Sequence, residues 1–105
     1  MQPAEVHAAL ESYHLLDVRE QDEWEAGHIE GAQHIPLGEL GLRVAELPRD
    51  RTIVCVCKMG GRSARAQQSL LRLGFNAENL EGGVTAWTEA GLALITERGT
   101  PGRVL

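Results

Sequence analysis

The chain predicts an α/β fold: a mostly parallel sheet with helices on both faces. Two observations carry this. Short apolar runs of strand character alternate with helical stretches along the whole sequence. One run, Thr52–Val56 (TIVCV), is rich in β-branched residues and apolar at alternate positions on both sides, as a strand covered on both faces must be. A length of 105 residues fits a single domain, 1–105, around one core.

The elements follow in order. Residues 3–11 read as a helix: Pro3 suits a first turn, and Val6 and Leu10 recur at helical spacing. Residues 13–18 (YHLLDV) are an apolar run ending in charge, a buried strand. Residues 20–26 (EQDEWEA) make a short acidic helix that Gly27 ends. Residues 32–35 (AQHI) form a brief strand closed by Pro36, and residues 38–47 a helix stopped before Pro48. After Thr52–Val56, residues 57–62 (CKMGGR) are a tight loop with adjacent glycines. Residues 63–73 (SARAQQSLLRL) are amphipathic, with Ala66, Leu70 and Leu73 on one stripe and Gly74 as the stop. Residues 77–80 read as a strand, 84–90 as a helix after Gly82 and Gly83, and 92–95 as a last strand. Residues 96–105, with Gly99, Pro101 and Gly102, read as a flexible tail. No repeat or low-complexity segment interrupts the chain.

Composition narrows the function. With 43% hydrophobic and 24% charged residues the chain is neither disordered nor collagen-like. Ten Lys+Arg against 15 Asp+Glu leave a net charge of −5, which argues against nucleic-acid or acidic-membrane binding. An anion site must then be a local positive spot in a negative field. Two cysteines, Cys55 and Cys57, are too few for a disulfide framework. Their spacing puts them on one face of a strand near the limit for bridging, so both are expected free, in a reducing compartment such as the cytoplasm. No stretch reads as a leader peptide or a membrane span.

In a parallel sheet, ligands bind beyond the carboxyl ends of the strands. The loop Cys57-Lys58-Met59-Gly60-Gly61-Arg62-Ser63 lies there, after the strongest strand and before a helix. Its glycines let successive N–H groups turn inward as an anion nest. The next helix adds its N-terminal donors and partial positive charge. Lys58 and Arg62 add cations. A thiol in such a cup ionises more readily than a free one, which makes Cys57 the candidate nucleophile. The plain alternative is a buried strand-end thiol beside a tight turn. Cys55, inside the apolar strand, reads as a small core hydrophobe.

CKMGGRS resembles the C-x-x-G-x-R-S active-site loop of the single-domain rhodanese (sulfurtransferase) family. Asp17-Val18-Arg19, then Glu23-Trp24, then Gly27-His28-Ile29-Glu30-Gly31-Ala32 with Ile35-Pro36 beyond, is similar to that family's upstream signature. Leu80-Glu81-Gly82-Gly83 followed by Ala86-Trp87 is similar to its downstream one. The likeness spans a core of about residues 3–92. It implies a five-stranded, mostly parallel sheet, with any strand before the first helix reduced to Met1 and Gln2.

The resemblance also implies sulfur transfer by double displacement. Cys57 would take sulfane sulfur from thiosulfate or a persulfide and pass it to cyanide or a thiol. The N–H groups of Lys58, Met59, Gly60, Gly61, Arg62 and Ser63 would hold the terminal sulfur, and Arg62 and Lys58 would attract the anionic donor. No metal or organic cofactor is implied, and a monomer or weak dimer is expected. Glu23 stands where the large two-domain thiosulfate enzymes carry a cation, which weakens the case for thiosulfate as donor. A sulfur relay serving a protein partner is the main alternative. Phosphatase or arsenate-reductase chemistry is a lesser one. Relatives of that kind hold a longer run between Cys and Arg than the four residues here, Lys58 to Gly61.

Other residues have plainer roles. Asp17 and Arg19 end a strand at the same rim. They read first as structural, Asp17 binding backbone N–H groups and Arg19 pairing with Glu20 or Glu23, and second as steering substrate. Trp24 and Trp87 read as core. His28 and His34 lack the close partners of a metal site, and the resemblance makes His28 a turn-stabilising hydrogen bonder. His7 and His14 read as surface or edge residues. Glu20, Asp22, Glu23 and Glu25 read as a solvated face that complements a helix N-terminus, with docking of a basic protein partner as the alternative.

Overall fold

The centre of the sheet is built from the two most apolar runs. In the computed structural model, which describes residues 1–105, strand β1 (Tyr13–Asp17) lies parallel to β3 (Thr52–Val56) in the register Tyr13↔Thr52 to Asp17↔Val56. β2 (Gln33–His34) flanks β1, and β4 (Ala77–Asn79) flanks β3, giving the order β2-β1-β3-β4 with every pair parallel. The strand period of two divides the core. Leu16, Ile53 and Cys55 meet Leu40 of α3 (Leu40–Arg43) and Ala66 and Leu70 of α4 (Gly61–Arg72). Leu15, Val54 and Val56 meet Val6 of α1 (Pro3–Ala8) and Val84 and Trp87 of α5 (Gly83–Glu89). The short acidic α2 (Gln21–Ala26) follows β1 and buries Trp24.

The sheet has four strands, not the five expected. Residues 92–95 do not form a strand, because their backbone groups are taken elsewhere. Leu92 N–H donates to Trp87 O, Gly102 N–H donates to Leu94 O, and Ile95 makes only isolated antiparallel bridges to His28 and Pro101. At the β4 edge Met1 alone continues the sheet. Its amino group donates to Asn79 O at 2.8 Å and its carbonyl accepts from Glu81 N–H at 2.9 Å. Those bonds to residues on either side of one position are the parallel pattern.

Other boundaries differ too: β2 shrinks to Gln33–His34, and β1, α2, β4 and α5 each shift by one residue at an end. The first helix ends at Ala8, and a 3₁₀ turn, Leu10–Ser12, completes the stretch. The span 38–47 breaks into the 3₁₀ turns Leu37–Glu39 and Val44–Glu46 around α3, where two glycines weaken a continuous helix. Helix α4 starts at Gly61, two residues early, so Arg62 and Ser63 lie in its first turn. The segment expected to be loose is fastened: Thr96 N–H donates to Thr100 O, and Arg103 N–H reaches Ala26 O at the end of α2. No helix is long and apolar enough to cross a membrane.

Candidate active site

Cys57 follows β3 directly, and its side chain is 1% exposed. The chain then turns through Lys58, Met59 and Gly60 into α4. Gly60 sits at φ 105°, a left-handed conformation that costs glycine little, and this turn aims its N–H back at the sulfur. Gly60 N–H donates to Cys57 Sγ at 3.0 Å, and the fully buried Ser63 hydroxyl donates at 3.2 Å. Burial pushes the Cys57 thiol up. The Ser63 hydroxyl and the N–H groups of Ser63, Gly60 and Met59 outweigh it, so the net pKa lies below that of an ordinary thiol. Cys55, inside β3 and with no such donors, is pushed by burial up to about 12.

A second support lies beneath the loop and was missed from the sequence. Val84 N–H and Thr85 N–H, in the first turn of α5, donate to the carbonyls of Cys57 and Lys58 at 2.9 and 3.1 Å. The backbones come so close that a Cβ on Gly83 would overlap both carbonyl groups. Asn79 Nδ2 holds Gly60 O at 3.1 Å. The signal for this clamp was the Gly82 and Gly83 pair before a helix.

The predicted loop residues divide three ways. Met59, Gly60 and Ser63 gather around the sulfur. Lys58 and Gly61 form the turn and the helix start, and Lys58 makes no ion pair. The Arg62 guanidinium turns to Glu23 instead, donating to both carboxylate oxygens at 2.7 and 2.9 Å. That contact holds the Glu23 carboxyl down at about 2 and raises the Arg62 pKa further.

Asp17 and Arg19 are paired with each other rather than with Glu20 or Glu23. Arg19 Nε and Nη2 contact the carboxylate at 2.8–3.1 Å, Arg19 N–H adds a bond of 3.0 Å, and Nη2 also reaches Gly27 O. Both residues are 0% exposed, so this buried pair ties the end of β1 to the end of α2. Trp24 is sandwiched between the rings of His28 and His34, at 3.6 and 4.8 Å, and its Nε1 donates to Glu97. His28 Nδ1 donates to Trp24 O at 2.9 Å, the turn-stabilising bond expected of it. Trp87 is buried, with Nε1 on Ala93 O.

A thiol in a ring of donors thus stands at the carboxyl end of a central parallel strand on an α/β scaffold. The Rhodanese-like domain family matches residues 2–90, and the chain belongs to that family of sulfurtransferases and sulfur carriers. It is 34% identical over 93 residues to a sulfurtransferase of Allochromatium vinosum, covering 88% of this chain and 87% of that one. It is 47% identical over 78 residues to the probable adenylyltransferase/sulfurtransferase MoeZ of Mycobacterium tuberculosis, covering 71% of this chain. The match spans only 20% of that relative's length. A rhodanese-related protein of Thermoplasma volcanium superposes with a TM-score of 0.89 at 35% identity, over 92% of this chain and 97% of that one.

Proposed function

We propose that this chain carries sulfane sulfur on Cys57. The observation that carries the reading is the Cys57 sulfur held by Gly60 N–H and the Ser63 hydroxyl at the head of α4. These donors stabilise a thiolate before reaction and a persulfide anion after it. In the first displacement the thiolate attacks the outer sulfur of thiosulfate or of a thiol persulfide. A Cys57 Sγ–S bond forms, the donor S–S bond breaks, and its electron pair leaves on sulfite or on the donor thiolate. In the second, a thiolate or cyanide attacks the carried sulfur and Cys57 leaves as thiolate. The Met59, Gly60 and Ser63 N–H groups hold the terminal sulfur between the two steps, and Lys58 draws in the donor.

We place the activity in the cytoplasm, where free thiols such as Cys55 and Cys57 persist. A protein donor or acceptor is the second reading. It is favoured by the match to a segment of a larger relative whose name joins adenylyl and sulfur transfer. The test is intact mass before and after thiosulfate or a persulfide, with Cys57→Ser and Cys55→Ser beside the wild type. One added sulfur, lost on reduction and absent only in Cys57→Ser, is expected. Sulfur retained by Cys57→Ser would refute the assignment.

A further inference from the structure

Sulfur transfer through Cys57 does not by itself require the ion pair at its rim. Arg62, in the first turn of α4, is gripped through both Nη atoms by Glu23 of α2. Glu23 is itself fixed, because Oε1 also accepts from Glu20 N–H at 3.0 Å. Its side chain is 14% exposed and that of Arg62 34%, so the pair is partly shielded from water and salt. Two parallel charge-assisted bonds hold the planar groups edge to edge and leave little net charge outside. Lys58 is then the one cation of the loop without a carboxylate partner. Glu20 at the N-cap of α2, and Asp22 and Glu25 within it, are among the acids that give the chain its net charge of −5.

The two donor classes load this cup differently. A thiolate meeting thiosulfate crowds a dianion against an anion, and sulfite leaves as a dianion. A thiolate meeting a protonated persulfide, RSSH, adds no charge. The Sγ–S bond forms as the RS–S bond breaks, the electron pair leaves on RS⁻, and the proton ends on that thiol. Sulfur moves without net oxidation in both cases. We propose that Glu23 is the specificity-determining residue: by occupying Arg62 it sets the cup to take sulfur from a thiol-borne persulfide in preference to a dianionic donor. The inference rests on the Cys57 reading above.

The test compares kcat/KM for thiosulfate and for cysteamine persulfide, whose ammonium balances its persulfide charge, in wild type, Glu23→Gln and Glu23→Asp. Gln keeps the side-chain length and can still accept the Glu20 N–H bond. Freeing one guanidinium toward a dianion should raise thiosulfate kcat/KM about tenfold in Glu23→Gln, mostly through KM, with the gain shrinking as salt is added. Cysteamine persulfide should change by less than about twofold, since a donor without net charge feels little of the freed field. Glu23→Asp, which keeps the charge, should keep the wild-type donor ratio. Equal changes for both donors, an unimproved thiosulfate reaction in a folded Glu23→Gln, or an Asp variant behaving like Gln would overturn the role of Glu23. Those results leave Cys57 as carrier. A wild type that takes sulfur from neither donor would overturn the carrier reading and this inference with it.

Discussion

Ser63→Ala isolates the contribution of a single hydroxyl to the Cys57 thiol. Ser63 Oγ lies 3.2 Å from Cys57 Sγ and is fully buried, so alanine removes one donor and leaves little space behind. The backbone N–H groups of Gly60, Met59 and Ser63 remain. A hydrogen bond to a charged group is worth about 1.5 kcal/mol or more, which is about tenfold in the fraction of thiolate below its pKa. The pH profile of Cys57 alkylation by iodoacetamide, with Cys55→Ser as background, should therefore shift upward. Rates near neutrality should fall about tenfold, while the plateau at high pH stays close to wild type. Stability follows the same sign. A thiol whose pKa is lowered by folding adds stability above its unfolded pKa, and this is lost as pH falls through the folded value. Ser63→Ala should thus lose more stability at pH 9 than at pH 6. An unchanged alkylation profile in a folded variant would refute this account of Cys57 activation.

Asp17→Asn breaks a fully buried ion pair and strands the Arg19 charge, so urea unfolding should show a loss of about 3–5 kcal/mol. Gly83→Ala must push the head of α5 off the Cys57 and Lys58 carbonyls; both unfolding midpoint and sulfur-transfer rate should fall, with the rate falling also where the protein remains folded. The Glu23 carboxyl is lowered from 4.5 to about 2. Its pairing therefore stabilises the fold above pH 4.5 and is lost as pH falls toward 2, and Glu23→Gln should lack that part of the acid limb in denaturation against pH.

Strand β3 was legible because everything that defines a buried strand is local: β-branched residues, both faces apolar, charge and glycine at the ends. The Cys57 cup was legible for a similar reason, since its donors come from a few consecutive residues. What sequence left hidden was the pairing of groups that folding brings together. Arg62 was read as a free cation because its carboxylate lies 39 positions away on α2. Asp17 and Arg19 stand two apart and share a face, so their mutual pairing was open to the strand period, but nearby acids competed for Arg19. Residues 92–95 have strand composition, and only the partners of their backbone groups show that they are a connection fastened at both ends.

The parallel sheet has a consequence for when the site comes into being. β1 and β3 pair with Tyr13 against Thr52, a separation of 39 residues (52 − 13), and no hairpin joins them. Such a pairing must close a long loop before any contact rewards it, which slows folding relative to a hairpin-joined sheet. Gly60 at the N-cap of α4 and Ser63 in its first turn donate to Cys57, and α5 braces the Cys57 and Lys58 carbonyls, so the finished site draws on helices from both faces of the sheet. A chain that has not yet made these contacts is expected to carry an ordinary, slowly reacting thiol at position 57. The rate at which Cys57 becomes alkylable during refolding is then expected to report when those contacts form.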